Sequence, residues 1–268
     1  MQTLLRADLR RLRNSHGNAT GYFVATIIFV LLVAVGSPML AKLLASSSSE
    51  LNDAVTAGWA SSLNILTATI MFGFVGLMSS WCASSICWAE MRAGFERTIA
   101  SSCGKKVYYT EKLVLALVLS CIFVVFGGLI AMLSAALFVG FQVASSIVSI
   151  LLWMALTILV SWGCACLTLA VLWLMRNNTV AFAVGLTLCT GLLSGVLFMA
   201  TSSMPEVANV ISHIREWLPA SAFDALATVT DGELVLEPLG YAHVLVPSAV
   251  CIVVAFVVAQ NVLPKRDL

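Results

Sequence analysis

Residues 113–139 read LVLALVLSCIFVVFGGLIAMLSAALFV, an apolar run with no Asp, Glu, Lys or Arg. A hydrocarbon core about 30 Å thick needs about 20 helical residues at 1.5 Å each, so this run can cross a bilayer as a helix. Five more runs of similar character surround it, at 22–40, 63–81, 147–175, 179–200 and 244–262. The expectation is an all-α polytopic membrane protein with six transmembrane helices, forming one transmembrane domain over residues 1–268.

The segments between the runs sort charge by side. With the runs placed alternately, 12 of the 14 Lys and Arg fall on one face, leaving only Lys42 and Arg215 on the other. Only 5 of the 13 acids share the basic face: Asp8, Glu90, Glu96, Glu111 and Asp267. Lys and Arg bias fixes orientation, so the basic face is predicted to be cytoplasmic, with both termini inside a multi-pass protein of the cell membrane. A charged fraction of 10% beside 60% hydrophobic residues excludes an ordinary soluble domain, where roughly a quarter of residues carry charge. A cleaved signal peptide fits poorly, because the first run is longer than the 7–15 residues of such a segment.

The ends and connections carry the remaining information. The first 20 residues predict an interfacial helix: Leu4, Leu5, Leu9 and Leu12 recur at helical spacing, and Arg6, Arg10, Arg11 and Arg13 fill the rest of the surface. A plain topogenic cluster has the same composition. The cytoplasmic segment 89–112 is the longest inward connection. Outside, 201–241 predicts a helical hairpin. Ser203-Met-Pro-Glu206 has the form of a capping box, apolar residues follow at three- and four-residue steps through Ile211 and Trp217, and Pro219 ends the helix. A second short helix is expected from Ser221-Ala-Phe223-Asp224, stopping at Asp231-Gly232. Ala181, Gly185 and Cys189, then Gly191 and Gly195, form small faces at four-residue steps in the fifth run. Such faces let helix backbones approach in lipid, either within one bundle or at a subunit interface.

Several chemistries are missing. The runs hold essentially no ionisable residue at mid-depth, which argues against ion-coupled transport. Gly104-Lys105-Lys106 lacks the first glycine and the Ser/Thr of a phosphate-binding loop. No enzyme activity, catalytic residue, cofactor or metal is therefore expected in this chain. The eight cysteines form no C-x-x-C pair and read as packing residues, and the three histidines are scattered. The sequons at Asn18 and Asn177 fall on the cytoplasmic side and read as chance.

One stretch carries a resemblance: WAEMRAGFERTIASSCGKKVYYTEK, residues 88–112. Glu90 leaves the second run, Gly94 follows, a short helix ends in a small/Gly turn, and Tyr108, Tyr109 and Lys112 introduce the third run. This resembles the cytoplasmic coupling region of the type-two ABC transporter permeases. Phe95 stands where that family usually has Thr, and Cys103-Gly104 replaces its common proline turn. The basic N-terminus, the six runs and Leu218-Pro219 extend the resemblance along nearly the whole chain. Its length and basic start are similar to the lantibiotic- or bacteriocin-immunity branch.

The resemblance implies the membrane subunit of a bacterial ABC exporter for a hydrophobic or amphipathic substrate, such as a peptide, drug or lipid. ATP and Mg would be held by an ABC ATPase subunit in trans. Residues 94–100 would dock into it, with Glu90 at the root and Gly94, Phe95, Arg97, Thr98 and Ile99 in the coupling role. Lys105, Lys106 and Lys112, with the N-terminal arginines, would face lipid headgroups or the ATPase. A second permease subunit, the same or related, would pack on Ala181, Gly185, Gly191 and Gly195. Ile211, Trp217, Pro219 and Phe223 would form external gate helices. Lipid is a partner and nucleic acid is not. The alternative is a non-transporting immunity or sensor protein that binds a peptide at the outer surface.

Overall fold

A computed structural model of the chain describes residues 8, 18–36, 62–70, 73–138, 145–203, 208–227, 229–230, 233–234 and 236–265. The predicted arginine-rich helix (Arg6, Arg10, Arg11, Arg13) lies outside them, as does the expected capping box after Ser203.

Eleven described helices follow the chain: α1 (Asn18–Leu31), α2 (Ser62–Ile70), α3 (Phe74–Arg92), α4 (Phe95–Cys103), α5 (Lys105–Phe138), α6 (Ile147–Met175), α7 (Asn178–Cys189), α8 (Leu192–Ser203), α9 (Ala208–Glu216), α10 (Pro219–Leu226) and α11 (Pro238–Val257). A π turn, Leu32–Gly36, continues α1, and Val258–Val262 continues α11. Two antiparallel strands of two residues each, Val229–Thr230 and Glu233–Leu234, separate α10 from α11.

Among the described residues, three helical stretches are long and apolar enough to cross a membrane: Lys105–Ser134, Ile147–Met175 and Pro238–Lys265. A fourth crossing is available if Asn178–Cys189 and Leu192–Met199, bent by 65°, act as one. The apolar helix Thr20–Leu31 is shorter. The outer faces are what lipid requires: Leu137 is 70% exposed and Ile147 74%, in company with Leu129, Leu133, Leu151 and Val253.

The second apolar run is not one straight helix. Gly73, at φ 62°, lies between α2 and α3, and α3 continues past Trp81 to Arg92. Helix α3 buries Ser79 and Ser80 before Trp81 and Ser84 after it, and their hydroxyls donate to Gly76 O, Gly76 O and Trp81 O at 2.9, 2.7 and 3.0 Å. Polar side chains satisfied within their own helix cost little to bury. The fifth run is likewise broken, at Thr190-Gly191, with Gly191 at φ 72°.

The two interruptions touch. A Cβ on Gly73 would lie 2.6 Å from the carbonyl carbon of Cys189 and 3.2 Å from its Cα. Only glycine combines the positive φ with that approach.

Helix α6 is the hub, packing against α3, α5, α7, α10 and α11. Trp81 Nε1 donates to Phe182 O at 3.1 Å, Trp153 Nε1 to Leu226 O at 3.0 Å and Trp162 Nε1 to Leu113 O at 2.9 Å. In lipid, where apolar surface gives no drive for helices to associate, such bonds and close dispersion contacts hold a bundle together. The eight cysteines are free thiols, six of them buried in the packing.

Candidate functional site

Gly94, at φ 72°, reverses the chain between α3 and α4, with Gly94 N–H bonded to Met91 O at 3.2 Å. The helix that follows has two faces. Phe95, Arg97, Thr98, Ser101 and Ser102 are exposed, while Glu96 and Ala100 are buried and Ile99 is half-buried. The predicted coupling segment 94–100 is thus a real amphipathic helix, running three residues further to Cys103. Gly104, at φ 88°, separates it from α5.

The inward face of α4 is tied down through the Glu96 side chain. Tyr109 Oη donates to Glu96 Oε1 at 2.9 Å, and the Tyr109 ring packs edge-on against Trp173 of α6, centroids 5.0 Å apart. Directly beside it, Tyr108 Oη donates to Glu90 Oε2 at 2.9 Å. The Lys112 ammonium lies 2.9 Å from the same Glu90 carboxylate, 2.5 Å from Asp8 Oδ2 and 3.7 Å from Glu111 Oε2. It also sits 5.3 Å from the centre of the Tyr108 ring. All of these groups are buried.

One ammonium therefore holds three carboxylates from three parts of the chain: the N-terminal segment, the end of α3 and the start of α5. Glu111 Oε1 has no hydrogen-bond partner among the described residues. Charges this deeply buried are tolerated only when paired and hydrogen-bonded, and the cluster becomes a fixed joint where the three segments meet.

The chain matches no protein-family model, no curated protein and no solved structure.

Glu90, Tyr108 and Lys112, spread over the stretch that carried the family resemblance, converge in space. Lys112 is 2% exposed, so it is not the surface cation expected for lipid or ATPase contact; its ammonium is taken by the buried acids. Lys105 is half-buried and donates to Pro264 O at 3.4 Å, while Lys106 remains exposed. Asp8, Glu96 and Glu111 were missed as site residues. An acid among four arginines was the available signal for Asp8.

The small-residue face also needs correction. Ala181 is fully buried and Gly185 packs on Thr168 and Trp81, so both serve packing within this chain rather than a subunit seam. Gly191 forms the bend in the fifth run, and only Gly195 has open space beside it. Asn177 of the second sequon caps α7, its Oδ1 accepting from Thr179 N–H at 2.9 Å and Val180 N–H at 3.4 Å.

At the opposite end of the bundle, α9 and α10 form the expected pair of short helices. Pro219 is buried at the first turn of α10, two residues ahead of the predicted start, because its fixed φ suits that position. Ile211 is half-buried, and Trp217 stands edge-on to His243 at 4.6 Å. Phe223 is wedged into the core: a Cβ on Gly76 would come within 2.6 Å of its Cζ. It anchors α10 more than it gates. Beside it, a cavity of about 360 Å³ is lined by Ile70, Gly73, Thr190, Gly191, Phe223 and Asp224.

Proposed function

We propose that this chain is the membrane-spanning permease subunit of a bacterial ATP-driven exporter, with six crossings and both termini cytoplasmic. In this reading α1 and the α2–α3 pair supply the first two crossings, and the bent α7–α8 pair supplies the fifth. A separate ATPase subunit, carrying ATP and Mg, docks on α4, and a second permease subunit completes the path.

The observation that carries the reading is the mounting of α4. Its exposed face offers Phe95, which is 52% exposed, with Arg97 and Thr98, while its hidden face is fastened through Glu96 to Tyr109 of α5. The Asp8–Glu90–Glu111–Lys112 joint fastens α3 and α5 beside it. A push on α4 is thereby delivered to the longest of the described helices instead of being absorbed by a slack loop. The half-polar cavity beside Phe223 supports an exit for an amphipathic substrate at the other end.

Co-expression with the candidate ATPase tests this. Phe95→Asp with Arg97→Glu alters only exposed side chains, so the chain should insert and purify normally while ATPase co-purification falls at least tenfold. Undiminished recovery of the ATPase would refute docking on α4. Cysteine labelling at Ser101 should report it on the cytoplasmic side.

A further inference from the structure

We propose that the cleft between the end of α3, the start of α4 and the end of α6 is a phosphate site that takes the headgroup of an anionic phospholipid. The cleft, about 340 Å³, is lined by Trp88, Arg92, Gly94, Glu96, Arg97 and Arg176, with Met91 on its wall.

Its charge is one-sided. Three guanidinium groups face one carboxylate, Glu96, which is buried and already accepts a hydrogen bond from Tyr109. Arg92, Arg97 and Arg176 are exposed, and among the described residues none of them has an ion-pair partner. The arginine fork, planar and always charged, matches phosphate oxygens and gives charge-assisted bonds. Arg176 closes α6 in a left-handed conformation, φ 49°, with its N–H bonded to Leu172 O at 2.8 Å, and from that cap its side chain lines the cleft. The backbone itself is turned to put the third arginine there.

Depth selects the lipid over a free anion. Helix α6 ends at Met175 and α5 begins at Lys105, and both are long and apolar enough to cross a membrane. Their ends, and the cleft beside them, belong at the headgroup layer. Trp88 is the kind of amphipathic ring that settles at that boundary. Together with Met91 it gives an apolar wall that a glycerol and upper acyl chain would cover and a free phosphate would not. The inference needs membrane placement only; it shares Arg97 with the proposed docking face of α4, and its readout, lipid retention, is separate from ATPase recovery.

Native mass spectrometry of the full chain in mild detergent tests it, with phosphatidylglycerol, phosphatidylcholine and inorganic phosphate as separate probes. Phosphatidylglycerol should be retained at least about tenfold better than phosphatidylcholine, whose phosphate is the same but whose trimethylammonium would lie against the three arginines. R92Q/R97Q/R176N should abolish that preference, Asn being chosen because it tolerates positive φ. The Lys variants at 92 and 97 should retain part of it. Should the triple variant lose monodispersity, Arg97→Gln alone carries the comparison, with a severalfold drop expected. Equal retention of the two lipids, or a preference unchanged by the substitutions, overturns the proposal. So does displacement of phosphatidylglycerol by inorganic phosphate, which would make this a free-anion site. Loss of ATPase co-purification with lipid preference intact would assign the arginines to an acidic protein surface and equally overturn it.

Discussion

Replacing Lys112 with Met should be among the most damaging single substitutions in this protein. The side chains are similar in length, so little packing changes, but Asp8, Glu90 and Glu111 would be left buried around a methyl group. Lys112 makes all three ion pairs described at the joint. Removing one partner of a buried ion pair costs about 3–5 kcal/mol, a large share of the 5–15 kcal/mol that folded proteins typically possess. At roughly 2–4 °C per kcal/mol for a chain somewhat smaller than this one, the unfolding midpoint in detergent should drop by roughly 6–20 °C. Glu90→Gln should be milder, because Asp8 still holds the ammonium and the amide oxygen still accepts from Tyr108. Discharging two of the three acids at the same time, as in D8N/E90Q/K112M, should recover part of the loss. Thermal unfolding followed by fluorescence-detected size exclusion measures all three. If K112M matches the parent, or if the added amide substitutions bring no recovery, the joint is not held together by charge.

Tyr109→Phe removes the donor that holds Glu96, at a cost of about 1.5–3 kcal/mol for a bond to a charged group; hydrogen exchange in 95–103 should accelerate while the core stays protected. Gly73→Ala should abolish monodisperse expression, since the added methyl meets the Cys189 backbone and the positive φ alone costs roughly 1–2 kcal/mol. Gly195→Ala, where nothing stands nearby, should behave as the parent. Partial burial holds the Asp224 carboxyl above its usual 3.8, with Arg215 opposing the shift. A raised folded pKa means the ionised form destabilises, so stability should rise as pH falls through that folded value. Asp224→Asn should flatten this part of a pH series of unfolding midpoints; an unchanged slope would exclude Asp224 as its source.

The long helices were legible because nothing in them contradicts their apolar character. The fourth run and α6 share the limits 147 and 175, and α4 could be read from Gly94, its alternating faces and Gly104. The break at Gly73 was not legible. An apolar run containing glycine looks the same whether straight or interrupted, and what demands the interruption is Cys189, more than a hundred residues later. The continuation of α3 past Trp81 was hidden by polar residues such as Ser84, whose hydroxyl bonds to its own helix. The charged joint escaped for a similar reason: Lys112 and Asp8 are 104 positions apart, and side counting treats both as surface charges. Ala181 and Gly185 show the converse limit, since a small face says that something approaches closely without saying what.

The meeting of Gly73 with Cys189 has one more implication. Two kinked rods that rest elbow against elbow share a single pivot, so neither α2 nor α8 can swing about its own bend without sliding over or carrying the other. Any opening at that end of the bundle is then a paired movement, and a bulkier residue at either elbow would jam both.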